Sequence, residues 1–126
     1  MIAFVTIGPN DLKSSVKFYD KILLPLDIVQ VYSHERYVGY ANINYPEEIL
    51  LYIMKPYNKE PASIGNGNMI AFLANSKKIV DQFHKIGLEN GGIDEGTPGP
   101  RNGTDYYAYI RDLDGNKICS FAKLEN

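Results

Sequence analysis

Few side chains in this sequence could do chemistry unaided. The candidates are two histidines, His34 and His84, a single cysteine, Cys119, and a close carboxylate pair, Asp112 and Asp114. His34 stands in the polar stretch Ser33-His34-Glu35-Arg36. A solvated turn residue is the plain reading there, and a ring reaching into a cleft, its own or a partner subunit's, is the functional one. His84 follows Phe83 on a helical pattern, which turns it to a partly exposed outer face. Cys119 would serve as nucleophile or soft metal ligand only as a thiolate, and that requires neighbours that lower its pKa and a base within reach. Lys117, two residues away on the same strand face, is the one helpful neighbour, so a small apolar filler is the simpler role. Asp112 and Asp114 lead into a Gly-containing reversal, and turn chemistry accounts for them better than acid-base pairing.

These residues need elements to hold them. Tyr106 to Ile110 and Lys117 to Phe121 read as two strands hinged on Asp114-Gly115-Asn116, whose residues tolerate positive φ. Upstream, Ile2 to Ile7 reads as a short buried strand ended by Gly8-Pro9. Asn10 or Asp11 can cap a helix whose apolar stripe is Leu12, Val16, Tyr19 and Leu23, ending at Pro25. Ile28 to Tyr32, Tyr37 to Ile43 and Ile49 to Met54 follow as strands. Then Tyr57 to Gly67 is a connector. Met69 to Ala74 restarts the pattern, Asn75 or Ser76 can cap, and Ile79, Val80, Phe83 and Ile86 line a second helix stopped by Gly91-Gly92. Glu95 to Gly103, rich in Gly and Pro, reads as a loop carrying Arg101. Laying residue n on n+65 pairs Phe4 with Met69, Val5 with Ile70, Asn10 with Asn75 and Phe18 with Phe83, the trace of a duplicated strand-helix-strand-strand-strand unit.

Length and composition set bounds. A chain of 126 residues suits one domain with a real core. One cysteine permits no intramolecular disulfide, no apolar run nears the roughly 20 residues that span a bilayer, and the first residues lack a secretory leader, so a cytoplasmic protein is expected. Thirteen basic against fifteen acidic side chains, scattered along the chain, argue against a nucleic-acid surface despite ten tyrosines and five phenylalanines. The sequon Asn102-Gly103-Thr104 is read as chance.

The hairpin Arg111-Asp-Leu-Asp-Gly-Asn-Lys-Ile118 resembles the closing hairpin of the glyoxalase/bleomycin-resistance/extradiol-dioxygenase superfamily, the vicinal oxygen chelate proteins, with Leu113 for a usual Pro and Cys119 for a usual Glu. Phe4-Val-Thr-Ile-Gly-Pro-Asn-Asp-Leu12 with Phe18-Tyr19, Gly65-Asn-Gly-Asn-Met-Ile-Ala-Phe72 and Gly99-Pro-Arg101 resemble its other motifs in order. The resemblance implies an α+β fold of two βαβββ units, residues 1–56 and 67–126 about a connector 57–66, forming a curved, partly open mixed sheet around a central cleft with helices outside. It also implies a homodimer.

Metal-dependent members hold a divalent ion on side chains that this resemblance maps to Phe4, a residue within Leu50 to Met54, Met69 and Cys119. None of these but the thiol is a useful ligand, and one thiolate is not a site, so no metal and no other cofactor is expected. The family's facing puts Phe4, Thr6, Tyr52, Met54, Met69, Ala71, Cys119 and Phe121 along the cleft. Arg101 and Tyr107 are placed to close over an anionic or oxygenated group. Such walls suit a small, mainly apolar or aromatic molecule. The implied function is a metal-free binding protein of the bleomycin-resistance kind; the alternative is a glyoxalase-type lyase, isomerase or dioxygenase with a divergent or metal-independent site. Catalytic residues are not assignable from the sequence.

Overall fold

The two helices begin at equivalent places in the chain. Asp11 caps α1 (Leu12–Leu23), its carboxylate accepting from the Ser14 N–H at 3.4 Å and from the Ser14 hydroxyl at 2.8 Å. Ser76 caps α2 (Lys77–Glu89), its hydroxyl accepting from the Ile79 N–H at 3.3 Å. Both satisfy free first-turn donors, and 11 + 65 = 76 keeps the repeat in register. The computed structural model describes residues 1–101 and 103–124, so the sequon at Asn102 lies outside the described residues.

Around the helices run β1 (Val5–Ile7), β2 (Ile28–Ser33), β3 (Tyr37–Asn42), β4 (Leu51–Met54), β5 (Ile70–Leu73), β6 (Ile93–Pro100), β7 (Tyr106–Arg111) and β8 (Lys117–Ala122). They form two open four-stranded mixed sheets of the same design, β1-β4-β3-β2 and β5-β8-β7-β6. In each the first strand lies parallel to the last, Val5 opposite Leu51 and Ile70 opposite Ile118, and the remaining pairs are antiparallel. Strands β1 and β4 are shorter than the apolar runs that predict them, because pairing starts only at Val5 and Leu51.

The Gly- and Pro-rich stretch expected as a loop is instead largely strand β6. It is the edge of its sheet, where Pro98 and Pro100 need not donate to a ladder, and irregularities between Asp94 and Gly96 and between Gly96 and Gly99 absorb the misfit.

Each helix covers one face of its own sheet, α1 against β2 and β4, α2 against β6, β7 and β8, and the helices also pack on each other. That double duty explains why Phe18 and Ile22, off the predicted stripe, are buried beside Tyr19 and Leu23. Phe18, Tyr19, Ile22, Val80, Phe83, Ile110 and Ile118 belong to one core cluster. Polar ties join the units at its rim: Asn10 donates its N–H to Asp114 at 3.0 Å, and Lys21 donates to Asn90 at 3.1 Å. Among the described residues no helix is long and apolar enough to cross a membrane.

Candidate functional site

Strand alternation decides which side chains are left over for function. With Val5, Ile7, Leu51, Ile53, Ile70, Phe72, Ile118 and Ala122 turned into the core, their neighbours Phe4, Thr6, Tyr52, Met54, Met69, Ala71, Cys119 and Phe121 stand on the faces away from the helices. These faces are open: Phe4 is 52% exposed, Met69 45% and Leu73 65%.

On the first sheet the rings form a chain. Phe4 meets Tyr52 edge-on at 5.1 Å, Tyr52 meets Tyr37 at 5.8 Å, and Tyr37 stacks on His34 at 4.7 Å. His34 is therefore an exposed member of an aromatic row, and its Nδ1 accepts from the Arg36 N–H at 3.3 Å. On the second sheet Tyr107 stacks on Phe121 at 5.1 Å and lies parallel to Tyr109 at 6.0 Å. Arg101 sits over the Tyr109 ring, its Cζ 5.6 Å from the centroid, with Lys117 Nζ at 5.2 Å from the same ring.

The expected residues thus fall into two aromatic walls and a seam. Thr6 and Met69 both stand at the seam, lining a cavity of about 630 Å³ between β1 and β5. Ala71 lines a separate space of about 380 Å³ with Leu26, Asn42 and Leu50. Tyr37 and Tyr109 belong to the faces although sequence reasoning did not place them there, and Lys117, read as sharing the strand face of Cys119, stands there too. Tyr109 follows Tyr107 by one pleat, so period-two alternation alone would have found it.

Two glycines make room for the rings. A Cβ on Gly96 would lie 2.6 Å from Cδ2 of Tyr109, its cross-strand partner, and one on Gly39 would lie 3.2 Å from Cε1 of Tyr52.

The remaining chemical candidates have structural duties. His84, expected at a partly exposed outer face, is buried, because β6 folds over α2 and brings Asp94 to 2.8 Å from its Nε2. The bond from the His84 ring, with another from the Gly96 N–H, holds the Asp94 carboxyl below its ordinary pKa. Cys119 is fully buried, and burial pushes its thiol up to about 11.

The family model of the Glyoxalase/Bleomycin resistance protein/Dioxygenase superfamily matches residues 1–120. The chain belongs to that superfamily. It is similar to a glyoxalase/bleomycin resistance protein from Albidiferax ferrireducens T118, with 39% identity, 97% of this chain and 98% of that chain covered, and a TM-score of 0.88. It shares the fold of a genomically encoded fosfomycin resistance protein from Listeria monocytogenes, at 19% identity, 98% and 93% coverage and a TM-score of 0.70. The same holds for lactoylglutathione lyase from Agrobacterium tumefaciens, at 18% identity, 97% and 92% coverage and a TM-score of 0.68. No curated protein sequence matches.

The superfamily's metal chemistry can be weighed against these side chains. At the positions the resemblance maps to ligands stand a phenyl ring, a thioether and a buried thiol held in its protonated form, and Leu50 to Met54 adds Tyr52 and Met54. Among the described residues no three His, Cys, Asp or Glu side chains gather closely enough to hold an ion. This donor set does not fit a divalent oxygen-seeking metal.

Proposed function

We propose that this glyoxalase/bleomycin-resistance superfamily member binds a small, mainly apolar or aromatic molecule against the open sheet faces, without the divalent-metal centre of its metal-dependent relatives. One observation carries the reading: Phe4, Tyr52, Met69, Tyr107 and Phe121 line the helix-free faces with hydrocarbon, ring and sulfur where a metal site would need imidazole and carboxylate. Ring surface of this kind gives apolar area and stacking geometry to a flat ligand.

The expected result is that purified protein carries no stoichiometric nickel, zinc or iron by elemental analysis, and that chelation leaves its affinity for small aromatic compounds unchanged in calorimetric titration. Tight one-to-one uptake of any of these ions would end the metal-free reading.

A single chain leaves each aromatic wall facing outward, and a second copy supplies the opposing wall. Burying Phe4, Met69 and Leu73 in this way would remove exposed apolar surface that a lone chain leaves in water. Light scattering is expected to give twice the 14.2 kDa of one chain. The mass of one chain across the micromolar range would remove the dimer from the proposal.

A further inference from the structure

The two walls differ in charge, and the difference specifies the ligand further. The first wall carries rings, a thioether and His34. The second has Arg101 and Lys117 over the same Tyr109 ring. Arg101 is fixed in place by donating to the Gly99 carbonyl at 2.9 Å and the Thr97 carbonyl at 2.8 Å, bonds that orient its guanidinium without neutralising it. Arg111, by contrast, is paired with Glu95 at 2.9 Å.

Lys117 also lines the seam cavity, whose other polar walls are Thr6, Ser63, Asn68 and Asn116. No Asp or Glu is among its lining residues, and Lys117 is their one charged side chain. Hydroxyls and amides beside a lysine whose Nζ stands over the neighbouring Tyr109 ring, with Glu95 also feeling its charge, make a space suited to negative oxygen, because a charge-assisted bond to an anion is stronger than one between neutral groups. The aromatic wall and the cavity are joined through that single lysine.

We propose that the ligand is an amphipathic anion: an aromatic or flat apolar body lying on Tyr107, Tyr109 and Phe121, and a carboxylate or comparable anionic oxygen group reaching Lys117 at the mouth of the seam cavity, with Arg101 on the other flank. The proposal rests on the reading that the open faces bind a small molecule, and it adds the sign of the ligand's charge and the residue that reads it.

The test uses the full chain at low salt, where charge attraction is least screened. The probes are three matched pairs, benzoate and benzamide, phenylacetate and phenylacetamide, 3-phenylpropionate and 3-phenylpropionamide, titrated by calorimetry and by nuclear magnetic resonance of the open-face tyrosines. At least one acid is expected to bind about tenfold more tightly than its amide, as one charge-assisted bond allows. In Lys117→Met that gap is expected to close while the amide keeps its affinity to within about twofold. Arg101→Gln provides a second variant, expected to narrow the gap in part, should the methionine substitution disturb β8.

Amides binding as tightly as acids, with Tyr107 and Tyr109 resonances shifting, would overturn the anion proposal and leave the small-molecule reading standing. A gap that persists in well-folded Lys117→Met would overturn the assignment to this lysine. Failure of every probe to bind or to shift those resonances would overturn both readings together.

Discussion

Replacing Asp112 by alanine is expected to cost on the order of 3 kcal/mol of stability, because several donors lose one acceptor at once. The carboxylate is only 3% exposed. Its Oδ1 accepts from the N–H groups of Asp114 and Asn116, each at 2.9 Å, and its Oδ2 accepts from the Tyr19 hydroxyl at 2.5 Å and the Asn116 amide at 3.0 Å. Tyr19 is wholly buried, so its hydroxyl would find no water in exchange, and a buried donor left unpaired is the costly case. Burial first, then the negative charge of Asp112, holds that hydroxyl well above its ordinary pKa, which keeps it a donor at any working pH. Tyr19→Phe is the milder companion, at about 1 kcal/mol, since the carboxylate keeps its other donors. Urea unfolding followed by circular dichroism measures both. An alanine variant within about 1 kcal/mol of the parent, or a phenylalanine variant harmed more than the alanine one, would contradict the account.

That carboxylate also shows what a sequence can and cannot display. Asp112 and Asp114 read correctly as turn residues, because Asx side chains bonding their own backbone are a local matter. That Asp112 also fastens α1 of the first unit to the β7–β8 turn of the second depends on how two helices pack, which no local pattern states. The caps were legible for the same local reason: a short oxygen just before an apolar stripe marks a helix start, and Asp11 and Ser76 do so 65 residues apart, since 76 − 11 = 65.

Strand β6 was hidden because Gly and Pro are read as breakers, while an edge strand tolerates them on its unpaired side. The set of residues expected on the open faces came from strand alternation together with the facing that the family resemblance implies. Their division between two walls did not, because the gap between β1 and β5 is a property of sheet edges that no residue records. His84 was misplaced for a related reason: helical facing turned it outward, but β6 closes over that side.

Gly96→Ala carries the other large expected effect, and it links fold to site. The new Cβ would lie 2.6 Å from Cδ2 of Tyr109, closer than carbon atoms can approach, with Cβ and Cγ of the same residue at 3.4 Å, so the ring must leave its place. In leaving it gives up the parallel arrangement with Tyr107 at 6.0 Å and its position beneath Lys117 and Arg101. Overpacking of this kind costs about 1–3 kcal/mol. Its second consequence concerns Cys119, which lies opposite Tyr109 across β7 and β8 and is fully buried. With the thiol pushed up to about 11, about one molecule in a thousand is thiolate at pH 8, and alkylation by iodoacetamide in the native parent is expected to run on the order of a hundredfold slower than in unfolded chain. Moving the Tyr109 ring admits water to that thiol, so the alanine variant is expected to melt lower and to alkylate faster while still folded. Gly39→Ala is the control: its Cβ would meet the terminal Cδ1 of Ile49 at 3.0 Å and Cε1 of Tyr52 at 3.2 Å, contacts that a flexible side chain relieves by small shifts, and no thiol lies beneath. If Gly96→Ala melts with the parent and its thiol stays equally slow, the Tyr109 ring does not seal this wall; if only Gly96→Ala changes both, the ring that carries two cations is also the one that keeps Cys119 dry.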